Sequence, residues 1–256
     1  ACMVTMRNSN HYGIAGYYAM MALQYDMIGI SLTNSAVLVV PTFGRNAMLG
    51  TNPISVAAPA GSEFPFVLDM ATSTVPRGKL EVYNRMAKPL PLGWATDETG
   101  EATSDADRVL KNMDTLAGGG LLPLGGVGEL LSGHKGYGLA LLVDILSGVL
   151  PGAGYADNIY RKDENGKSLP ADVGHFFGAL RVDAFRPVDE FKATMDDIIR
   201  RLKDSDKALG QERIYIHGEK EYETTRDCLA HGVVVHPKVV DDLRAMATEL
   251  GLEPVA

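Results

Sequence analysis

The chain has 256 residues, 46% of them hydrophobic, which is enough to bury a sizeable core and argues against disorder. Its net charge of −8 is spread along the chain, with no basic face for a phosphodiester backbone, so nucleic acid is a poor candidate partner. Two cysteines, Cys2 and Cys228, form neither a disulfide framework nor a metal cluster. No charged-then-apolar leader is seen, and the longest apolar stretch, 137–150, carries Asp144 and is too short to span a bilayer, so the expectation is a cytoplasmic protein.

In chain order, residues 2–6 read as a strand, and the loop Asn8-Ser9-Asn10-His11-Tyr12-Gly13 follows. Ile14, Tyr17, Tyr18, Met21 and Tyr25 then recur at helical spacing before a second strand over 28–33. Strand, loop, helix and strand in this order predict neighbouring parallel strands, with His11 in the loop where α/β sheets usually hold ligands. Further strands are expected over 54–58 and 64–68, the second running into Asp69-Met70-Ala71-Thr72-Ser73. The polar, glycine-rich stretch 94–120 reads as a surface excursion with a short helix over 107–113.

The glycine-dense segment 121–138 feeds a helix ending near Leu150, expected to be buried. A loop region over 151–175, a strand over 176–182 and an amphipathic helix from Val188 to Leu202 come next. A short strand and two helices close the chain, with Pro237 in the first turn of the last helix and Gly251 at its end.

Several residues carry chemistry that each admits a plain structural alternative. His11 can exchange a proton with a carbonyl or hydroxyl near neutral pH, or can simply be satisfied by loop backbone. His134 and Lys135 open the apolar helix, where a cation opposes the macrodipole unless an anion lies between them; the alternative is a solvated lysine. Asp69 can accept ribose hydroxyls or cap the helix that follows it. Arg77, with Gly78, Lys79 and Glu81 beyond it, can grip a carboxylate or lie on a solvated surface. The glycines around Lys135 miss the Walker pattern, no strand is followed by a complete G-x-G-x-x-G, and H-E-x-x-H and G-x-S-x-G are absent, so no metal site is expected.

Five ordered blocks, Asn8 to Gly13, Thr33-Asn34-Ser35, Gly50-Thr51-Asn52-Pro53, Leu68 to Ser73 and Ser132 to Gly138, resemble the type-2 malate/L-lactate dehydrogenase family over nearly the whole chain. That family also holds ureidoglycolate, sulfolactate and diketogulonate dehydrogenases and cyclic imino acid reductases. The resemblance implies a non-Rossmann α/β fold with a mixed sheet that binds NAD or NADP, in a homodimer whose subunits both build the site. It also implies hydride transfer between NAD(P)H and a small 2-oxo or 2-hydroxy acid such as malate or lactate. By the same implication His11 is the catalytic or cofactor-proximal histidine, and Tyr12, Gly13 and Ile14 lie along the cofactor. Ser35, Asp69, Met70, Ala71, His134 and Lys135 complete the dinucleotide site, with Gly218 and Glu219 further candidates; Thr51, Arg77 and Gly78 face the substrate, and Glu81 falls where relatives carry a carboxylate that orients the histidine.

The implied organisation is residues 1–35 opening a core domain, 36–210 forming the NAD(P)-binding domain and 211–256 rejoining the core. Relatives carry an upstream helical segment with a Ser-His pair and an arginine that grip the substrate and donate a proton; the sequence opens at Ala1 beyond that point, so a fragment is expected. Two other readings stand beside the enzyme: a catalytically incomplete dinucleotide-binding or interaction protein, and an α/β transferase using Lys135 for phosphate.

Overall fold

The computed structural model describes residues 1–253, which form two compact units, one over 1–218 and one from Glu219 onward. The larger unit is built on a five-stranded sheet of β1 (Cys2–Ser9), β2 (Met27–Thr33), β3 (Ile54–Ala58), β4 (Phe66–Met70) and β7 (Val173–Arg181), in the order β1-β7-β2-β3-β4. Every neighbouring pair is antiparallel. The expected mixed sheet with parallel neighbours is therefore corrected. β1 and β2 do run in the same direction, since both oppose β7, but β7 lies between them and takes the hydrogen bonds that a parallel pair would have shared. A strand from far along the chain is invisible to a reading of local strand–helix–strand order.

Helix α1 (Ala15–Met20) links β1 to β2 and is shorter than the apolar spacing predicts, because the chain passes into a single 3₁₀ turn at Leu23–Tyr25. Its Ala15, Gly16 and Ala19 are buried on the sheet side, while Tyr17, Met20 and Met21 stay exposed. After β4 come α2 (Arg77–Arg85), a two-stranded ladder of β5 (Ala95–Thr96) and β6 (Gly120–Leu121), and α3 (Ala106–Thr115) between those two strands. Leu80, Val109, Leu110, Met113 and Leu121 close a second core here, which Ala140 joins from the next helix. Asp105 caps α3 by accepting from the Arg108 N–H.

Helix α4 (Gly133–Asp144) continues into one π turn at Ile145–Val149. The expectation that this apolar helix is buried holds for one face only. Ala140 and Val143 are buried, whereas Leu142, Ile145, Val149 and Leu150 are exposed. Gly174 of β7 explains the local shape: a Cβ there would sit 1.7 Å from the Ser147 carbonyl oxygen, so the π turn presses directly on the strand. Asp144 ends α4 with a buried carboxyl that accepts from Asn34 Nδ2 (3.2 Å) and the Ala156 N–H (2.8 Å). Burial pushes its pKa up, against those two hydrogen bonds.

Helix α5 (Val188–Asp204) follows β7, and residues 205–218 contain no strand, so the short strand expected before the closing helices is also corrected. The smaller unit holds α6 (Glu219–His231) and α7 (Pro237–Leu250), with Pro237 in the first turn and Gly251 as a left-handed C-cap at φ +66°. No helix among the described residues is long and apolar enough to cross a membrane.

Asp196 fastens α5 to the β3–β4 turn. Its carboxylate accepts from the N–H groups of Gly61 (2.9 Å), Ser62 (2.8 Å) and Glu63 (3.1 Å) and from the Ser62 hydroxyl (2.9 Å). Burial alone would raise its pKa, but these donors outweigh burial and hold it at about 2. A depressed carboxyl contributes stability that is complete above its unfolded value, about 4, and is lost as pH falls through the folded value. Asp196→Ala is expected to cost about 2–3 kcal/mol in urea unfolding at pH 7, with the gap from wild type narrowing as the pH is lowered from 5 to 2.

Candidate active site

The five sequence blocks meet in one hydrogen-bonded network at one side of the sheet. At the end of β1 the register slips between Met6 and Ser9, Asn8 adopts φ +55°, and its N–H donates to Asp172 Oδ1 (2.9 Å), turning the chain into the His11 loop. Asp69, at the end of β4, accepts from the Gly16 N–H (2.7 Å) and so caps α1, the helix that follows His11. The helix it caps is thus the earlier one, not the one after β4.

Two residues on from Ala71, the Thr72 hydroxyl reaches the carbonyls of Thr51 (3.1 Å) and Asn52 (3.0 Å), and its own carbonyl accepts from the Leu124 N–H (2.8 Å). Thr51 in turn donates its N–H to Ser35 Oγ (3.1 Å), and Asn52 Nδ2 donates to the Ala140 carbonyl of α4 (3.0 Å). Leu124 lies against the first turn of α4, where a Cβ on Gly136 would stand 2.2 Å from the Leu124 oxygen and 2.4 Å from its nitrogen. Hydrogen bonds through Thr72 and Asn52 therefore tie Ser35 and Thr51 to α4, Leu124 packs on that helix, and Asp69 joins them through the chain at the end of β4.

Within that frame His11 is exposed. Its Nδ1 accepts from the Gly13 N–H (3.1 Å), which leaves the proton of the neutral ring on Nε2 as an outward donor. Tyr12 is stacked between Tyr18 (4.6 Å, 8°) and His175 (4.3 Å, 10°), and its hydroxyl pairs with Ser31 Oγ at 2.8 Å. Burial, against the Ser31 hydrogen bond and with the nearby Asp69 and Tyr18, pushes its phenol up to about 12, so Tyr12 is a neutral, structural ring at physiological pH. Gly13 has φ +89°, and Ile14 stands exposed before the first residue of α1. Met70 ends β4 opposite Ile54, and Ala71 follows it.

His134 and Lys135 occupy the first turn of α4, both exposed and without a side-chain ion pair among the described residues. Ser132, in the left-handed region at φ +66°, offers the helix no side-chain cap. Arg77 and Glu81 are not part of this network. Arg77 is held by Glu81 (3.0 Å) and by Asp114 of α3 (2.8 Å), which raise its pKa further, and Gly78 lies beside it in the first turn of α2. Glu81 pairs with this arginine, one helical turn before it on α2. Gly218, at φ +90°, packs on Val67 of β4, and Glu219 begins α6 in the other unit.

Two contributors were not visible beforehand. His175 sits inside a stretch read as loop, and only the pairing of β7 with β1 and β2 brings it under the His11 segment. Asn52 carries a buried Oδ1 without a partner and Nδ2 on α4; the Gly-Thr-Asn-Pro block marked the position but not its bond.

The family model for malate/L-lactate dehydrogenase matches residues 1–244. The chain belongs to the malate/L-lactate dehydrogenase family. Among relatives of this family, the malate dehydrogenase of Pyrococcus abyssi is 50% identical over 251 residues, which cover 98% of this chain and 66% of that protein. The solved malate dehydrogenase of Entamoeba histolytica superposes with a TM-score of 0.89 at 38% identity, over 98% of this chain and 69% of that one. The sulfolactate dehydrogenase of Methanocaldococcus jannaschii gives a TM-score of 0.81 at 34% identity, with 98% and 67% coverage. The chain spans about two thirds of the length of the curated relatives it matches.

The close approach at Gly136 yields a test of the network. Gly136→Ala forces a methyl into the Leu124 backbone, which cannot yield as a flexible side chain would. A loss of about 2 kcal/mol is expected, read as a lower urea midpoint with an unchanged m value.

Proposed function

We propose that this chain forms the larger part of an NAD(P)-dependent oxidoreductase that interconverts a small 2-oxo acid and its 2-hydroxy acid, of the malate or lactate kind, with His11 as the proton-carrying group. The observation that carries the reading is the position of His11: an exposed imidazole whose Nδ1 is engaged by Gly13 and whose Nε2 is free to meet a carbonyl or hydroxyl oxygen. The named activities of the relatives support it.

The donor set fits an anionic dinucleotide. The exposed His134 and Lys135 lie in the first turn of a twelve-residue helix at its positive dipole end, which Ser132 does not cap with its side chain, although the Gly133 and Lys135 N–H groups donate to the Gly128 and Ser132 carbonyls. We assign them to the phosphates, with Tyr12, Gly13, Ile14, Ser35 and the Asp69-Met70-Ala71 turn along the rest of the cofactor. When bound, nicotinamide supplies or accepts the hydride at C2 of the acid. His11 hydrogen-bonds the substrate oxygen through Nε2. Delivery of a full proton calls for the imidazolium, in which Nδ1 also carries hydrogen and the Gly13 contact opens. Thr51, with its hydroxyl 3.3 Å from Ser35 Oγ, is the candidate hydroxyl on the substrate side. Arg77 and Glu81 are assigned to bracing α2 on α3, because the guanidinium is already held by two carboxylates. A homodimer belongs to the same reading, supported by the apolar side chains that α1 and the end of α4 leave exposed, among them Tyr17, Met21, Leu142 and Ile145.

The test is oxo-acid-dependent loss of NAD(P)H absorbance by the full-length protein. His11→Ala is expected to lower kcat roughly 100-fold or more with the cofactor Kd little changed, and Lys135→Ala to weaken cofactor binding about 10-fold, close to 1.4 kcal/mol. Cofactor binding without turnover in the wild type overturns the enzymatic reading and leaves a dinucleotide-binding protein.

A further inference from the structure

The buried histidine of β7 has no part in the chemistry described so far, yet almost everything it touches belongs to the segment that carries His11. His175 is 2% exposed. Its Nδ1 lies 2.8 Å from Thr33 Oγ1 and its Nε2 lies 2.8 Å from Ser9 Oγ. One ring face stacks on Tyr12.

The Thr33 hydroxyl also lies within hydrogen-bond distance of the backbone carbonyls of Asn34 (2.8 Å) and Gly174 (3.1 Å). The ring is thus anchored to β2 on one side and to the end of β1 on the other, two residues before His11. Its stacking partner, Tyr12, is the residue immediately after His11. Burial pushes the His175 pKa down; a backbone hydrogen bond with Asn10 opposes this, and the neighbouring His11 ring adds to it. All three effects arise from the same packing.

We infer that His175 is a positioning residue for His11: it clamps residues 9–12 from below, through Ser9 and Tyr12, and so sets where the His11 imidazole stands over the sheet. The inference rests on the assignment of His11 to proton transfer. It also accounts for the bulge between Met6 and Ser9, because the register slip is what lets Ser9 pair with Val173 while its hydroxyl reaches the ring two residues further along β7.

The clamp is tested with His175→Phe, which keeps a ring against Tyr12 and loses both polar contacts, with Ser9→Ala, which removes the Nε2 contact alone, and with His175→Gln, whose amide offers both a donor and an acceptor. In the full-length protein, His175→Phe is expected to lower kcat about 10-fold, as a small displacement of a reacting group does, with oxo-acid KM and cofactor Kd within about twofold. Ser9→Ala is expected to give a smaller loss of the same kind, and His175→Gln to recover part of it. In a His11→Ala background, His175→Phe should add no further loss, since it acts through the imidazole that is gone. An equal fold-loss in both backgrounds, or an unchanged kcat in both Phe and Ser9→Ala variants, overturns the inference. A readout without turnover separates it from the enzymatic reading: the Gly13 amide resonance, which reports the bond to His11 Nδ1, should move in Ser9→Ala and His175→Phe. If wild type shows no turnover, the function proposed above falls, and an unmoved Gly13 signal then sinks the clamp as well.

Discussion

The insertion of β7 between β1 and β2 is the constraint on which the rest of the site depends. A strand–helix–strand unit left to itself would pair its two strands directly and parallel. Here each strand instead finds an antiparallel partner in residues 173–181, with register pairs running from Cys2 opposite Ala179 to Ser9 opposite Val173, and from Met27 opposite Arg181 to Thr33 opposite His175. Three consequences follow from this one topological fact. Ser9 and Thr33, 24 positions apart in the chain, come to flank a single imidazole. The carboxyl ends of β1 and β2 open on the same side, so the His11 loop and the Asn34-Ser35 turn are neighbours of β7 rather than of each other. The N-terminal end of β7 carries Asp172, whose carboxylate takes the Asn8 N–H and starts the loop.

The second feature of the site is that its polar residues mostly bond to backbone. Thr72, Asn52, Asn34, Thr33 and Asp69 each spend side-chain capacity on main-chain groups of a distant segment, and Thr33, Asn34, Asn52 and Thr72 are buried. Such bonds contribute only about 1 kcal/mol each in net terms, whereas leaving one partner unsatisfied in a buried place costs more. Their effect is therefore on geometry more than on stability: few other arrangements of these loops would make the same set of bonds. His11, His134 and Lys135 are left outside the network and exposed.

The same distinction decides what the sequence could reveal. Strand β3 matches its expected bounds, Ile54–Ala58, and α3 and α5 extend theirs by a few residues, because alternation and amphipathic spacing are local signals. Pro237 and Gly251 likewise mark α7 through their own backbone preferences. Strand order is not local, and the parallel expectation failed there. Nor could apolar content separate the buried face of α4 from the face that carries Leu142 and Ile145. The five blocks named the positions of the site through resemblance, while the bonds that join them, such as Asn52 to Ala140, depend on how the segments cross. Nor are the two ion pairs of Arg77, with Glu81 and with Asp114 of α3, both legible: the first is a local i,i+4 spacing and the second depends on how α2 meets α3.

An acidic chain that is to hold an anion must keep its carboxylates occupied near that place, and the network does this. Asp69 has its Oδ2 committed to the Gly16 N–H at the positive end of α1, where the helix itself offsets the charge. Asp144, at the far end of α4, is turned inward onto Asn34 and the Ala156 N–H. The opposite end of that helix carries the positive end of the dipole, a lysine and a histidine. Gly136 permits this arrangement by bringing the helix's first turn against the Leu124 backbone without a side chain between them, so the positive end is presented by position and not by a glycine-rich phosphate turn. A cation placed there opposes the helix dipole when nothing is bound, and an anion lying between Lys135 and the helix end turns both interactions favourable at once. That reversal of sign is the physical reason for proposing this helix end as the place of an anion in a chain of net charge −8.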